Sequence, residues 1–251
     1  MDLKETDILG EDIGAHWYYA SKARAMSRML DGSTPRRIVD VGAGSGFFSR
    51  HLLSTSSARE AWCVDISYPC DRDCEESQKI LRYRRSIDYV DANLVLLMDV
   101  LEHVDDDVGL LREYVKKVPD DSEFLLTVPA FNWLWSSHDD FLEHRRRYTL
   151  PQVERVVRAA GLEVRRAFYY FGLVLPLAAG VRVTDRMYGP KLAPQSQLKR
   201  HCPAINRLLA GICALELPIM RLNRLGGLSI FCLAGRKARC SPREVSRDPG
   251  T

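Results

Sequence analysis

Three glycines and two acids carry the first chemistry legible in this chain. The stretch Val39-Asp-Val-Gly-Ala-Gly-Ser-Gly-Phe-Phe48 places Gly42, Gly44 and Gly46 at alternate positions. Glycine there lets the backbone turn tightly and approach a ligand with no Cβ in the way. Asp40 precedes the loop. Asp65 ends the next apolar stretch, about twenty residues on, where an acid can accept hydrogen bonds from both ribose hydroxyls of a bound nucleoside. The dinucleotide fingerprint GxGxxG asks for glycine where this chain has Phe47, which argues against a pyrophosphate packed on the helix start. No Lys-Ser/Thr pair closes the loop, so it is not a P-loop.

A second cluster fills residues 133–148: Trp133, Trp135, His138, Asp139, His144, Arg145, Arg146, Arg147 and Tyr148, with Glu102 and His103 ahead of it. Histidines titrating near neutrality take and return protons, and arginine forks hold phosphate or carboxylate. His103, His138 and His144 are therefore the candidate catalytic groups, and Trp135, Asp139, Arg147 and Tyr148 the candidate acceptor-binding ones. Each has a quieter reading. The three histidines can be structural hydrogen-bonders, Arg145–Arg147 a solvated charge run, and the tryptophans packing. No metal is expected: Cys70 and Cys74 lie four apart, but no nearby histidine completes a ligand set.

These groups need a scaffold, and the first half of the chain alternates strand and helix signals, as a parallel α/β sheet requires. Strands are predicted at 37–41, 61–66, 83–89, 93–98, 123–128, 163–170 and 228–234. The run 93–98 is apolar throughout, as in a strand buried on both faces. Helices are predicted from Phe47, from the acids at 105–107, and from Thr149, where Thr149 and Gln152 fit a capping box and Gly161 a stop. In an open sheet of this kind ligands sit beyond the carboxyl ends of the strands, the edge to which both clusters map.

Residues 39–48, Val64-Asp-Ile66 and Leu96-Leu-Met-Asp-Val-Leu-Glu-His-Val104 together resemble the class I S-adenosylmethionine-dependent methyltransferases. Residues 128–149 resemble a subgroup of them found near sugar-transfer and cell-envelope genes. The resemblance implies a Rossmann-like, seven-stranded, mostly parallel sheet with helices on both faces and a reversed final hairpin. It implies S-adenosylmethionine as cofactor, with Gly42 and Gly44 facing its methionine part, Asp65 holding the ribose, Asp99 and Val100 beside it, and Asp40, Ala43 and Ile66 among the residues that bind it. Many members carry an acid at the adenine after the third strand; here Ser86 or Asp88 would substitute. Tyr18 or Lys22, on a helix ahead of the first strand, would reach the cofactor carboxylate, or that helix would simply pack on the sheet edge. The implied activity is methyl transfer by in-line displacement to a small-molecule or lipid-linked acceptor, most simply at oxygen. The alternative is a catalytically inactive, membrane-associated partner of another enzyme. Phe47 disfavours a nicotinamide oxidoreductase. Asp99-Val-Leu-Glu102 stands where base-modifying members carry Asn/Asp-Pro-Pro-aromatic, which disfavours nucleic acid.

Composition adds partners and organisation. Of 251 residues, 1–144 carry 16 Lys/Arg against 27 Asp/Glu, and 145–251 carry 20 against 6, so the second half suits an anionic partner. The division expected is a helical N-terminal cap (1–35), the cofactor-binding core (36–172 and 228–235), an apolar and basic helical insertion (173–227) and a tail (236–251). The insertion holds two apolar runs, each too short to span a bilayer, separated by the basic stretch 191–201. It would serve as a cap over the site, as a foot on an anionic membrane surface, or as a dimer contact. Residues 205, 208, 209 and 212 would share one helical face. Seven cysteines without a CxxC, and a polar acidic start in place of an export signal, read as a cytoplasmic protein, peripheral to the inner face of the membrane if the foot reading holds.

Overall fold

The computed structural model describes residues 10–76, 78–188 and 202–237. The basic stretch 191–201 and most of the expected tail lie outside them. The strands are β1 (Arg37–Val41), β2 (Glu60–Val64), β3 (Arg72–Glu76), β4 (Lys79–Arg84), β5 (Leu94–Met98), β6 (Glu123–Pro129), β7 (Glu163–Tyr170) and β8 (Ser229–Gly235). They form one eight-stranded sheet in the order β3-β4-β2-β1-β5-β6-β8-β7. β4, β2, β1, β5 and β6 are parallel; β8 runs antiparallel between β6 and β7. The reversed end is as expected, but the strand count is eight, not seven. The extra strand, β3, is exposed along its whole length and pairs antiparallel with β4 at the sheet edge. Its sequence, Arg-Asp-Cys-Glu-Glu, has no apolar alternation to betray it; charge is how an edge strand avoids pairing with another chain. The third strand expected at 83–89 lies instead at Lys79–Arg84.

The apolar strands alternate between two cores. Ile38, Leu94, Leu96 and Leu125 face one cluster, with helices α1 (Trp17–Met29) and α2 (Phe47–Thr55). Val39, Val95, Leu97 and Leu126 face the other, with α3 (Asp107–Lys116) and α5 (Leu150–Ala159), the short α4 (Ser137–Phe141) lying between those two in sequence. Burial on both faces is why β5 reads as unbroken apolar sequence. The Thr149 backbone N–H donates to Gln152 Oε1 at 2.7 Å, and Gly161, at φ +89°, ends α5.

The insertion folds as α6 (Leu175–Tyr188) and α7 (Pro203–Glu216). α7 packs on α1: Asn206 accepts from the Trp17 backbone N–H at 2.7 Å and donates to the Ala15 carbonyl at 2.8 Å. Leu209 and Cys213 are buried in the core, whereas Leu208 is 64% exposed and Ile205 47%. The helical face shared by 205, 208, 209 and 212 is thus only partly covered, because α1 lies against one side of α7. The buried Glu216 accepts from the backbone N–H groups of Gly172 (2.8 Å) and Leu173 (3.2 Å), tying the end of α7 to the end of β7. Among the described residues no helix is long and apolar enough to cross a membrane.

Candidate active site

The strand order puts the carboxyl ends of β2, β1 and β5 side by side, and the glycine loop, Asp65 and Asp99 with them. Gly42 and Gly44 take φ +62° and +55°, in the left-handed region. A Cβ on Gly42 would meet Val100 Cγ2 at 2.9 Å, so Val100 lies against the loop as expected. The Gly42 and Ala43 N–H groups both donate to the Val64 carbonyl (2.7 and 3.2 Å), which leaves neither for a ligand. Asp65, half-buried, accepts from Gly44 N–H at 3.1 Å and Ser67 N–H at 2.9 Å. Ile66 beside it is 81% exposed. Ser86 and Asp88 are exposed just past β4, whose Arg84 carbonyl accepts from Asp65 N–H. A carboxylate at the end of β2, an open apolar side chain and a loop with glycine at 42, 44 and 46 are the features a nucleoside site needs.

Asp40 sits differently from the expectation. It is buried and accepts from Ser49 Oγ at 2.7 Å, so its carboxylate holds the start of α2 rather than the mouth. Burial pushes its carboxyl up to about 6, against the downward pull of the Ser49 hydrogen bond. The folded state then holds this proton more tightly than the unfolded chain, whose value is near 3.8. The associated stability is fully present below about pH 4 and is lost as pH rises through about 6. Asp40→Asn is expected to remove that slope, worth up to about 3 kcal/mol near neutral pH in the protein without ligand, as read from urea midpoints at acidic and neutral pH.

α1 closes the mouth. The fully buried Lys22 pairs with Asp99 and donates to Tyr18 Oη at 3.2 Å. Burial alone would lower the Lys22 pKa, but the Asp99 charge and hydrogen bond outweigh it and the net shift is upward. Asp99 is lowered for the matching reason, Lys22 winning over burial. Thr127 Oγ1 donates to Asp99 Oδ1 at 3.1 Å. Tyr18, its ring stacked on Phe171 at 5.1 Å, thus lines the same mouth through Lys22. Lys22, named with Tyr18 as a group for the cofactor carboxylate, instead spends its ammonium on Asp99 and Tyr18. Asp99, Phe131 and Phe171 follow β5, β6 and β7 with φ of +56°, +58° and +65°. Three strained non-glycine residues at one sheet edge are what a functional site held by its surroundings looks like.

The second cluster splits into a framework and a reactive face. Asp139 is fully buried at the start of α4. Arg147 donates to it from Nε (2.6 Å) and Nη2 (3.0 Å), Ser136 N–H at 2.9 Å, and His144 Nδ1 lies 2.9 Å from Oδ1. Burial would raise this carboxyl, but His144 and Arg147 hold it well below the usual range. Arg147 also donates to the Ala130 carbonyl (3.0 Å), and only 8% of its side chain is exposed. Tyr148, buried, donates to the Leu101 carbonyl (3.0 Å) and Asp107 (2.8 Å). Arg145 and Arg146 donate to the carbonyls of His103 and Val104. Trp135 spends its indole N–H on Asp140 at 2.9 Å. The run therefore divides: Arg145 is exposed to solvent, Arg146 half-buried, and Arg147 buried on Asp139 rather than open to an anion. Arg147, Tyr148, Asp139 and Trp135, expected to hold an acceptor, are framework.

What this framework presents is His144, with its ring 4.8 Å from that of His103, and the buried Glu102 beside them. Neither carboxylate oxygen of Glu102 has a hydrogen-bond partner. Burial first, and then the nearby Asp99 charge, raise its carboxyl well above the ordinary value. Glu102 therefore links the two clusters, and sequence reading passed over it as a mere neighbour of His103. Burial lowers His103 to about 4, with His144 adding to the effect. His138, on α4, is also lowered to about 4 by burial, in spite of Asp139. A cavity of about 940 Å³ lined by Arg36, Glu60 and Asn93 opens at the opposite, amino edge of the sheet, away from all of these groups.

Residues 15–167 match the profile of a methyltransferase-domain family. A search of curated proteins finds no match to the sequence. Among solved structures, the protein bound to the Haloferax volcanii Trm112 methyltransferase activator is similar at 15% identity and TM-score 0.53, over 93% of this chain and 95% of that one. Haemonchus contortus phosphoethanolamine N-methyltransferase 2, solved with S-adenosylmethionine, is similar at 14% and 0.52, over 94% of this chain and 60% of that one. Burkholderia thailandensis 1,6-didemethyltoxoflavin-N1-methyltransferase is similar at 12% and 0.52, over 94% and 84%.

Proposed function

Since the chain belongs to the methyltransferase-domain family, and is a class I S-adenosylmethionine-dependent methyltransferase, we propose that it methylates an oxygen of a small or lipid-linked, anionic acceptor, at the juncture of Asp99 and Glu102. The observation that carries this reading is the meeting of two groups at one sheet edge. Gly42, Gly44, Asp65 and Asp99 fit the cofactor, and Glu102, His103 and His144 follow directly from β5 to face the acceptor. S-adenosylmethionine, when bound, supplies an electrophilic methyl on a sulfonium. The chain's own residues do the rest. Asp65 takes the ribose hydroxyls, Ile66 lies beside the base, and α1, fixed by Lys22–Asp99, shuts water from the mouth. An acceptor hydroxyl must give up its proton during the displacement, and the acid–base face of Glu102, His103 and His144 suits that need. This supports oxygen over an amine, which is nucleophilic once neutral.

Calorimetric titration with S-adenosylmethionine and its demethylated product, with NADH as control, tests the cofactor. Binding of the two sulfur compounds alone is expected, and binding of NADH alone would overturn the reading. Asp65→Ala is expected to weaken both by about 1.5–3 kcal/mol, roughly ten- to a hundredfold, as charge-assisted hydrogen bonds to the ribose are lost.

The lipid-linked part of the reading, and a place at the inner face of a membrane, rest on another observation. Leu177, Val181 and Met187 of α6 and Leu208 and Leu215 of α7 are exposed, in the half of the chain rich in arginine. Apolar side chains beside cationic ones suit an interface with anionic headgroups. Co-sedimentation with phosphatidylserine-containing vesicles at low salt, reversed by added salt, is the expected result; protein left in the supernatant at low salt counts against it.

A further inference from the structure

We infer that Glu102, His103 and His144 form a divalent-cation site, one that would hold the oxygen of the acceptor. This deepens the proposed function and rests on it for the identity of the acceptor: with an ion bound, the three side chains would serve as its ligands rather than as bases, and the ion would ease loss of the acceptor proton to water. Three observations carry the site. One donor atom from each of the three side chains lies within 4.8 Å of the others. The Glu102 side chain is fully buried, and both its oxygens lack a hydrogen-bond partner. An orphaned carboxylate costs several kcal/mol unless something satisfies it, and a cation shared with two imidazoles would do so. Thirdly, His144 Nδ1 is held by the buried Asp139 carboxylate at 2.9 Å, and Asp139 is itself held by Arg147 and Ser136. A carboxylate behind an imidazole is the usual outer support of a metal ligand: it fixes the ring and leaves Nε2 to bind.

Two imidazoles and one carboxylate suit zinc, manganese, iron or cobalt, not calcium. Ligand atoms around such an ion sit about 3–4 Å apart, so the three side chains need to close by about an ångström. Three protein ligands leave positions open. Glu102 lies one turn past Asp99 at the cofactor mouth, so an oxygen taken at an open position would stand on the acceptor side of that mouth. An acceptor with two neighbouring oxygens, such as a vicinal diol or a hydroxy acid, would use two of them.

The test is calorimetric titration of the chelator-stripped full chain with Zn²⁺, with Co²⁺ absorption as a second readout of imidazole ligation. A Cys70→Ser, Cys74→Ser background removes two exposed thiols that would compete for Zn²⁺. One ion per chain is expected, with binding weakened at least tenfold in Glu102→Gln and in His144→Ala, and about ten- to a hundredfold in Asp139→Asn. Uptake that vanishes in the cysteine background, or an affinity unchanged in Glu102→Gln and His144→Ala, overturns the site. Each variant is also titrated with the demethylated cofactor. A protein that binds this product but no ion has lost the cation site alone, whereas one that binds neither has lost the functional reading beneath it.

Discussion

Asp99→Asn is expected to destabilise the protein by about 3–5 kcal/mol, and Lys22→Met by less. Both break the same pair, so the asymmetry is informative. The Lys22 side chain is fully buried, while that of Asp99 is 23% exposed and keeps a hydrogen bond from Thr127. Losing Asp99 strands an ammonium with only Tyr18 to receive it. Losing Lys22 leaves a carboxylate that water and Thr127 can still solvate. Removing one member of a buried pair has the large cost because the other is left uncompensated. The Lys22→Met, Asp99→Asn double variant should therefore regain much of the loss. Denaturant midpoints of the four proteins measure the coupling directly. Equal losses in both single variants would show the ammonium to be as well hydrated as the carboxylate.

Asp139→Asn is expected to cost a similar 3–5 kcal/mol, and to lower kcat on the order of a hundredfold in the protein that remains folded. The two effects have different origins. Stability falls because the Arg147 guanidinium, 8% exposed, loses both of its carboxylate contacts. Activity falls because His144 loses the partner that orients its ring. Adding Arg147→Met should restore stability but not kcat. Restoration of both would mean that His144 takes no part in the reaction, and that Asp139 only holds up the loop.

The parts of the site that depend on glycine and on strand ends were legible in sequence. Gly42, Gly44 and Asp65 announce themselves by residue type and spacing, Asp99 only through the family resemblance, and the sheet sets their strands side by side. Side chains whose role depends on a distant partner were not. Arg147 and His144 look alike as sequence, both polar and both in one loop, yet Arg147 is spent on Asp139 while His144 is presented by it. Their side chains are equally buried, at 7% and 8% exposed, and only their partners separate them. Glu102 was invisible for the same reason: what marks it is the lack of any partner, which no sequence displays. β3 escaped notice because pattern reading looks for apolar alternation, and an edge strand survives by avoiding it. The partly covered face of α7 follows from α1 lying against one side of it, a fact about two helices far apart in the chain.

Asn206 gives that separation a temporal meaning. The helix that brings Lys22 to Asp99 has its first turn held by a residue 189 positions later. During synthesis the glycine loop, Asp65 and the parallel strands emerge long before Asn206 does. The glycine loop and its strands can therefore assemble while the helix above them still frays, and the mouth gains its fixed wall only when α7 docks. A contact this remote in sequence forms late and slows folding. It also ties closure to late-emerging residues: a product ending before α7 would lose this wall, together with β8 from between β6 and β7.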